Sequence, residues 1–224
     1  RTGESGSYAA RSGHCIWHRL LQPPARLCKR LWVSFNPWPV VATGPGVKLA
    51  NPALTVLACG GDGDGFAIGL GHTIHAMRRN VDLTYIVMDN HVYGLTKGQV
   101  SPRSDRGFVT KTSPQGSTET PVSALELALS AGAGFVAQGF SKDLNELAGL
   151  IEAGVRHPGF SFINVFSPCV TFNKVNTYDW YSQRLKKADE MAGYDPGNRM
   201  LAMQRVMETD GLVTGLIFKR DGAN

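Results

Sequence analysis

Gly60-Gly61-Asp62-Gly63-Asp64-Gly65 and Asp89-Asn90-His91-Val92-Tyr93-Gly94, one strand–helix–strand unit apart, decide how this chain is read. An apolar, β-rich run from Leu54 to Cys59 feeds straight into the first cluster. A second such run, Leu83 to Met88, ends at the second. Between them, Phe66, Leu70, Ile74 and Met77 fall on one stripe at helical spacing, so 66–79 reads as a helix. Strand, helix and strand in this order form a right-handed βαβ unit with parallel strands. Both polar clusters then lie at the carboxyl ends of parallel strands, where open α/β sheets bind ligands. Asp62 and Asn90 offer oxygen donors suited to a hard divalent cation such as magnesium. Glycines let the backbone approach a phosphate, and a helix start attracts anions. The simplest reading is a magnesium ion over a diphosphate.

Outward from this core the same grammar continues. Val47–Ala50 ends a helix before Asn51-Pro52. Residues 89–121 are a long stretch rich in Gly, Ser, Thr and Pro; 93–99 read as ligand-contacting and 101–120 as mobile. A helix over 122–131, a strand over 135–139, a helix over 141–156 with Ser141 as N-cap, and a strand over 161–166 follow. Helices over 178–192 and 198–208 and a last strand over 212–219 complete the chain. The expected fold class is α/β, a doubly wound parallel sheet. Residues 1–41 follow no period and read as an irregular N-terminal segment; the regular domain spans 42–224.

Composition removes several function classes. A net charge of +5 with no Lys/Arg block and no aromatic–basic ladder argues against nucleic acid. No apolar run approaches the ~20 residues of a membrane span, and no signal peptide is read. Four cysteines without a CxxC pair argue against a disulfide framework and for a cytoplasmic setting. Two smaller features have plain readings. His72 and His75, three apart on the helix after the glycines, are expected at the surface or facing a cofactor, with His72 a candidate phosphate contact. Arg184 to Lys187 read as a solvated basic face. A dinucleotide site, with Asp89 as the ribose-binding acid, is the lesser alternative, because GDGDG fits the GxGxxG pattern poorly.

GDGDGFAIGLGHTIHAMRRNVDLTYIVMDNHVYGLTKGQ, together with SPCVTFNKVNTYDWY and GLVTGLIFK, resembles the thiamine-diphosphate-binding beta subunit of 2-oxoacid:ferredoxin oxidoreductases. The likeness runs from about residue 42 to 219 and implies a thiamine diphosphate-binding fold. It implies that Asp62, Asn90 and the Val92 carbonyl hold magnesium. Gly61, Gly63, Asp64, Tyr93, Gly94, Leu95 and Thr96 would then surround the cofactor. Leu95 matches the bulky residue that holds the cofactor bent, and Lys97 becomes the catalytic candidate, a partner for a substrate or phosphate anion. Cys169 matches one thiolate of a 4Fe-4S cluster. A cluster needs four thiolates, and neither Cys15, Cys28 nor Cys59 stands in a matching context, so the ligand set is incomplete in this chain.

The likeness stops abruptly upstream of about residue 40. One choice of allowed codons for His18–Pro39, read one base later, gives IGCSSRLPGFVNAYGFHSTHGR, which is similar to the missing family segment. A frameshift is one explanation, under which residues 1 to about 39 take no ordered place; the competing one is a genuine divergent arm that packs on the domain. The implied function is oxidative decarboxylation of a 2-oxoacid, pyruvate or 2-oxoglutarate among the options, with coenzyme A and with electrons passed to ferredoxin. The glutamate that activates the aminopyrimidine would come from an alpha subunit, so the enzyme is a heterodimer and this chain is inactive without its partner. The alternatives are a non-redox thiamine diphosphate enzyme subunit and an inactive gene fragment that keeps the fold.

Overall fold

The structure is a computed structural model that describes residues 31–34 and 40–221. Its elements run β1 (Leu31–Ser34), α1 (Val40–Ala50), β2 (Thr55–Gly61), a π-turn (Asp64–Ile68), α2 (Leu70–Arg78), β3 (Leu83–Asp89), α3 (Ala124–Ser130), β4 (Phe135–Phe140), α4 (Leu144–Arg156), β5 (Phe160–Phe166), α5 (Tyr178–Ser182), β6 (Lys186–Lys187), α6 (Arg199–Glu208) and β7 (Val213–Lys219). The strands form one sheet in the order β1-β2-β3-β5-β4-β7-β6.

Alternation along the strands sends two apolar sets to opposite faces. Val56, Ala58, Tyr85, Val87 and Phe162 join Val41, Met77, Leu125 and Val206 from α1, α2, α3 and α6. Leu57, Cys59, Ile86, Ala137 and Ile163 join Leu147 and Leu150 from α4. Helices therefore cover both faces, as the doubly wound expectation requires. Such strands read as continuous apolar runs, because neither face meets water; all seven residues of β5 are buried. β1 to β5 pair in parallel, whereas β7 runs antiparallel to β4 and carries β6 alongside it.

Register fixes where the polar clusters end up. Gly61 lies opposite Met88, and Asp89 opposite Phe166. Asp62 and Asn90 therefore leave neighbouring strands at the same edge of the sheet.

Several sequence expectations need correction. The helix read over 66–79 is two pieces. Asp64–Ile68 is a π-turn, closed by a 2.8 Å bond from Gly69 N to Asp64 O, and α2 begins after Gly69. The N-cap of α4 is Asp143, whose carboxylate accepts from Glu146 N at 3.1 Å. Ser141 instead donates its N–H to Phe166 O at 2.9 Å. The helix read over 178–192 stops at Ser182, because Lys186 and Lys187 pair with Val213 and Thr214; tertiary pairing there outweighs local propensity.

Residues 1–41 are not irregular throughout. Leu31–Ser34 pair with Thr55–Ala58 as an edge strand, and α1 begins at Val40 with Val40 and Val41 buried, ahead of the expected boundary at 42. An open edge on β2 offers unpaired backbone groups to any extended run, and Leu31, Trp32 and Val33 suit one. The rest of the segment read as frameshifted, Cys15 and Cys28 included, lies outside the described residues.

Candidate functional site

Asp62 follows β2 directly and is 2% exposed. Its Oδ2 accepts a 2.5 Å hydrogen bond from Ser101 Oγ. Burial, then the nearby Asp89 charge, push its carboxyl up to about 7; the Ser101 hydroxyl, His91 and Arg103 pull the other way. A buried acid with that balance gains most from a cation beside it. On the next strand end, Asn90 Oδ1 accepts from Val92 N at 3.0 Å, and Asn90 O accepts from Asn173 Nδ2 at 3.3 Å. Between Asn90 and Val92 the chain turns through His91, whose φ of 58° is left-handed, a conformation uncommon outside glycine. This turn sets a side-chain oxygen and a backbone carbonyl next to the Asp62 strand end. Carboxylate, amide and carbonyl oxygens are the donor set of a hard divalent ion, so the residues present fit magnesium.

Tyr93 closes the site on one side. Its hydroxyl donates to Gly63 O at 3.2 Å, and its ring lies so close that a Cβ on Gly63 would fall 2.0 Å from Tyr93 Cε1. A Cβ on Gly61 or Gly94 would meet nothing within 4 Å. Of the two glycines matched to phosphate approach, Gly61 is open and Gly63 is occupied by the ring. Asp64 accepts from Val40 N at 3.4 Å, and its Oδ2 fills the place a Gly60 side chain would need.

Residues 93–99 form a small loop pinched by two 2.9 Å bonds, Tyr93 N to Gln99 O and Gly98 N to Tyr93 O. Leu95, at its tip, is 90% exposed. Thr96 and Lys97 are exposed beside it, with Lys97 at a φ of 68°. A leucine held out on a closed loop beside the strand ends is placed to pack on something the described residues do not supply.

Behind these residues lies a buried polar network that the sequence reading missed. Asp89 is fully buried, and its Oδ2 accepts from Arg103 Nε at 2.9 Å and Asn164 Nδ2 at 3.1 Å. Burial raises its pKa, but the Arg103 and His91 charges and their hydrogen bonds win, so the carboxyl stays below the usual carboxylate range. His91 Nε2 lies 3.4 Å from Asp89 Oδ1, and Nδ1 lies 3.6 Å from Asp105 Oδ1. Burial works against its protonation, yet Asp89 and Asp105 raise the imidazole to about 9. Asn164 Nδ2 continues the network to Gln138 Oε1 at 2.8 Å.

Two expectations fall here, the ribose role of Asp89 and the mobility of 101–120. Asp89 cannot serve a ribose, because Arg103 already pairs with it out of contact with solvent. His91, 7% exposed, is part of this buried network. The 101–120 stretch is anchored: Ser101, Ser104, Phe108 and Ser117 are buried, and Gly107 N bonds Ser117 O at 2.7 Å. No local signal singled Arg103 out, because Lys97, Arg106 and Lys111 stand in the same stretch. His72 and His75 are exposed on α2, as the surface reading has it. Arg184 stacks over Trp180 at 4.8 Å.

Cys169 is half-buried just after β5, and its Sγ accepts from Phe172 N at 3.4 Å. Cys59 sits within β2, where burial pushes its thiol up to about 12 and keeps it unreactive. Among the described residues no cluster of three or more His, Cys, Asp or Glu side chains is placed to hold a metal. No helix among them is long and apolar enough to cross a membrane.

Comparison with known proteins agrees with this geometry. The family described as "Thiamine pyrophosphate enzyme, C-terminal TPP binding domain" matches residues 40–165. A second family, the C-terminal region of the pyruvate ferredoxin oxidoreductase beta subunit, matches 169–224. A 2-oxoacid:ferredoxin oxidoreductase subunit beta from Saccharolobus solfataricus is 46% identical over 151 residues, covering 67% of this chain and 50% of the relative. A 2-oxoglutarate synthase subunit KorB from Methanothermobacter marburgensis is 45% identical over 132 residues, 59% of this chain and 46% of its own length. A solved 2-oxoglutarate:ferredoxin oxidoreductase from Magnetococcus marinus, with 2-oxoglutarate, coenzyme A and succinyl-CoA bound, superposes with a TM-score of 0.78 at 40% identity; the match covers 82% of this chain and 63% of that one. The chain spans about half the length of the curated relatives it matches.

Proposed function

We propose that this chain, which belongs to the thiamine pyrophosphate enzymes and among them to the beta subunits of 2-oxoacid:ferredoxin oxidoreductases, holds magnesium and thiamine diphosphate for CoA-dependent oxidative decarboxylation of a 2-oxoacid. Asp62, Asn90 and the Val92 carbonyl are the residues that would hold the metal. Gly61, Gly63, Asp64, Tyr93, Gly94, Leu95 and Thr96 would surround the cofactor, with Gly61 giving the phosphates their open backbone. When bound, thiamine diphosphate supplies a carbon nucleophile and an electron sink.

This chain's own part is positioning and exclusion. The buried Asp62 carboxylate orients toward a cation, and Tyr93 seals the strand ends from water. Leu95 packs against the organic part of the cofactor. Lys97, exposed on the same loop, offers a cation to the substrate carboxylate or a phosphate. The observation that carries the reading is Asp62, an acid buried next to Asp89 at a strand end beside Asn90 and Val92.

The proton-relay glutamate, much of the substrate pocket and the full assembly belong in this proposal to an alpha subunit, giving a heterodimer at work in the cytoplasm. Electrons would leave through a 4Fe-4S cluster, with Cys169 as one thiolate, to ferredoxin. A second reading, a chain that keeps the fold but does not assemble the cluster, is favoured by one observation. Among the described residues Cys169 has no second available thiol, since Cys59 is locked in β2.

The test is assembly with the alpha subunit, followed by an assay of ferredoxin reduction with pyruvate or 2-oxoglutarate and CoA. The main reading expects CoA-dependent reduction with at least one of them, together with visible-region absorbance after reconstitution with iron and sulfide. Absence of both in an assembled complex that binds thiamine diphosphate would establish the second reading instead.

A further inference from the structure

We infer that the segment Ser101-Pro102-Arg103-Ser104 is the positioning element that fixes the spacing between the two cation-binding arms, Asp62 and Asn90; this rests on the site reading just given. The two arms leave different strands, and beyond the last ladder pair no sheet hydrogen bond ties one to the other. The segment bridges them. Ser101 Oγ donates to Asp62 Oδ2 at 2.5 Å and accepts from Arg103 N at 3.2 Å. Ser101 N donates to Ser104 Oγ at 2.9 Å, and that hydroxyl donates to His91 O at 2.7 Å. A short chain of hydrogen bonds therefore runs from the Asp62 carboxylate to the backbone just after Asn90.

Arg103 anchors the bridge from behind. Its Nε bonds Asp89 Oδ2 at 2.9 Å, and its Nη1 donates to Val122 O. Val122 N in turn donates to Pro102 O at 2.8 Å. Ser101 and Ser104 are 3% and 2% exposed, so water does not compete for either hydroxyl. A hydroxyl bonded to an ionised carboxylate makes one of the stronger hydrogen bonds available to a protein. It holds one Asp62 oxygen and thereby turns the carboxylate to a single orientation. Such supporting contacts orient metal ligands and tune their affinity. A loop that merely packs on the domain would need neither hydroxyl to reach the two arms.

Mn2+ is a magnetic probe for a magnesium site of oxygen donors. Its binding to the full chain, assembled with its partner subunit and saturated with thiamine diphosphate, is followed by electron paramagnetic resonance. Ser101→Ala and Ser104→Ala are each expected to weaken Mn2+ binding by about 10–100-fold, with the circular dichroism spectrum unchanged. Ser101→Thr, which keeps the hydroxyl, is expected to recover most of the loss. Folded Ser101→Ala or Ser104→Ala protein that binds Mn2+ within twofold of the unmodified chain would overturn the inference. If Ser101→Ala does not fold, Ser104→Ala decides by the same criterion. Failure of the unmodified protein to bind Mn2+ would instead remove the site reading, a result visible before any variant is compared.

Discussion

Gly63 carries a constraint that its place in a glycine run does not reveal. Its missing side chain makes room for the Tyr93 ring, and its carbonyl accepts the Tyr93 hydroxyl at 3.2 Å. Gly63→Ala would push that ring away and open the neck of the 93–99 loop. We expect a loss of about 1–3 kcal/mol, the usual cost of overpacking, measured by urea denaturation. In the Tyr93→Ala background the same substitution should cost much less, since residues in contact couple. Equal costs in both backgrounds would show that the ring is not what Gly63 accommodates. At this scale the sequence is partly legible. Asp62 and Asn90 stand out because oxygen donors at strand ends have a plain chemical use. Gly61 and Gly63 do not separate, because one letter serves both an open approach and a packed one. Arg103 was missed because its partner, Asp89, is adjacent only after the sheet forms.

α1 and the polar loop show what decides an element. α1 holds Pro45 in its interior, where the ring removes a hydrogen bond and crowds the preceding turn. It persists because Val40, Val41 and Gly44 are buried against the sheet. Pro45→Ala should therefore stabilise the domain by about 1–3 kcal/mol, read as a raised thermal midpoint; an unchanged or lowered midpoint would mean that the proline is accommodated without strain. The strands were the readily legible elements, since β2, β3, β4 and β5 are apolar runs bounded by polar or glycine residues. Helix ends were less so. Asp143, not Ser141, caps α4, because Ser141 N is drawn to Phe166 O on the neighbouring strand. The segment after Ser182 pairs with β7, a choice made by a distant strand that no local pattern announces.

For the whole molecule, the parallel β1–β5 sheet with helices on both faces places every candidate ligand at one edge, and that much follows from strand order and register. What local sequence could not provide is the antiparallel β7 with its β6 companion, and the buried Asp89–His91–Arg103 network that backs the site. The first depends on contacts between residues far apart in the chain, the second on a loop that folds back onto its own strand end. The chain also spans about half of its curated relatives' length, so turnover is a property expected of an assembly, whereas the proposed metal and cofactor site draws on residues present here. The most direct measurement is a calorimetric titration of thiamine diphosphate into the assembled protein, with and without Mg2+, for the unmodified chain and for Asp62→Ala and Asn90→Ala. The expected result is Mg2+-dependent binding in the unmodified chain that each substitution weakens by at least 100-fold, about 2.7 kcal/mol. Undiminished Mg2+-dependent binding in both variants would contradict the assignment of Asp62 and Asn90.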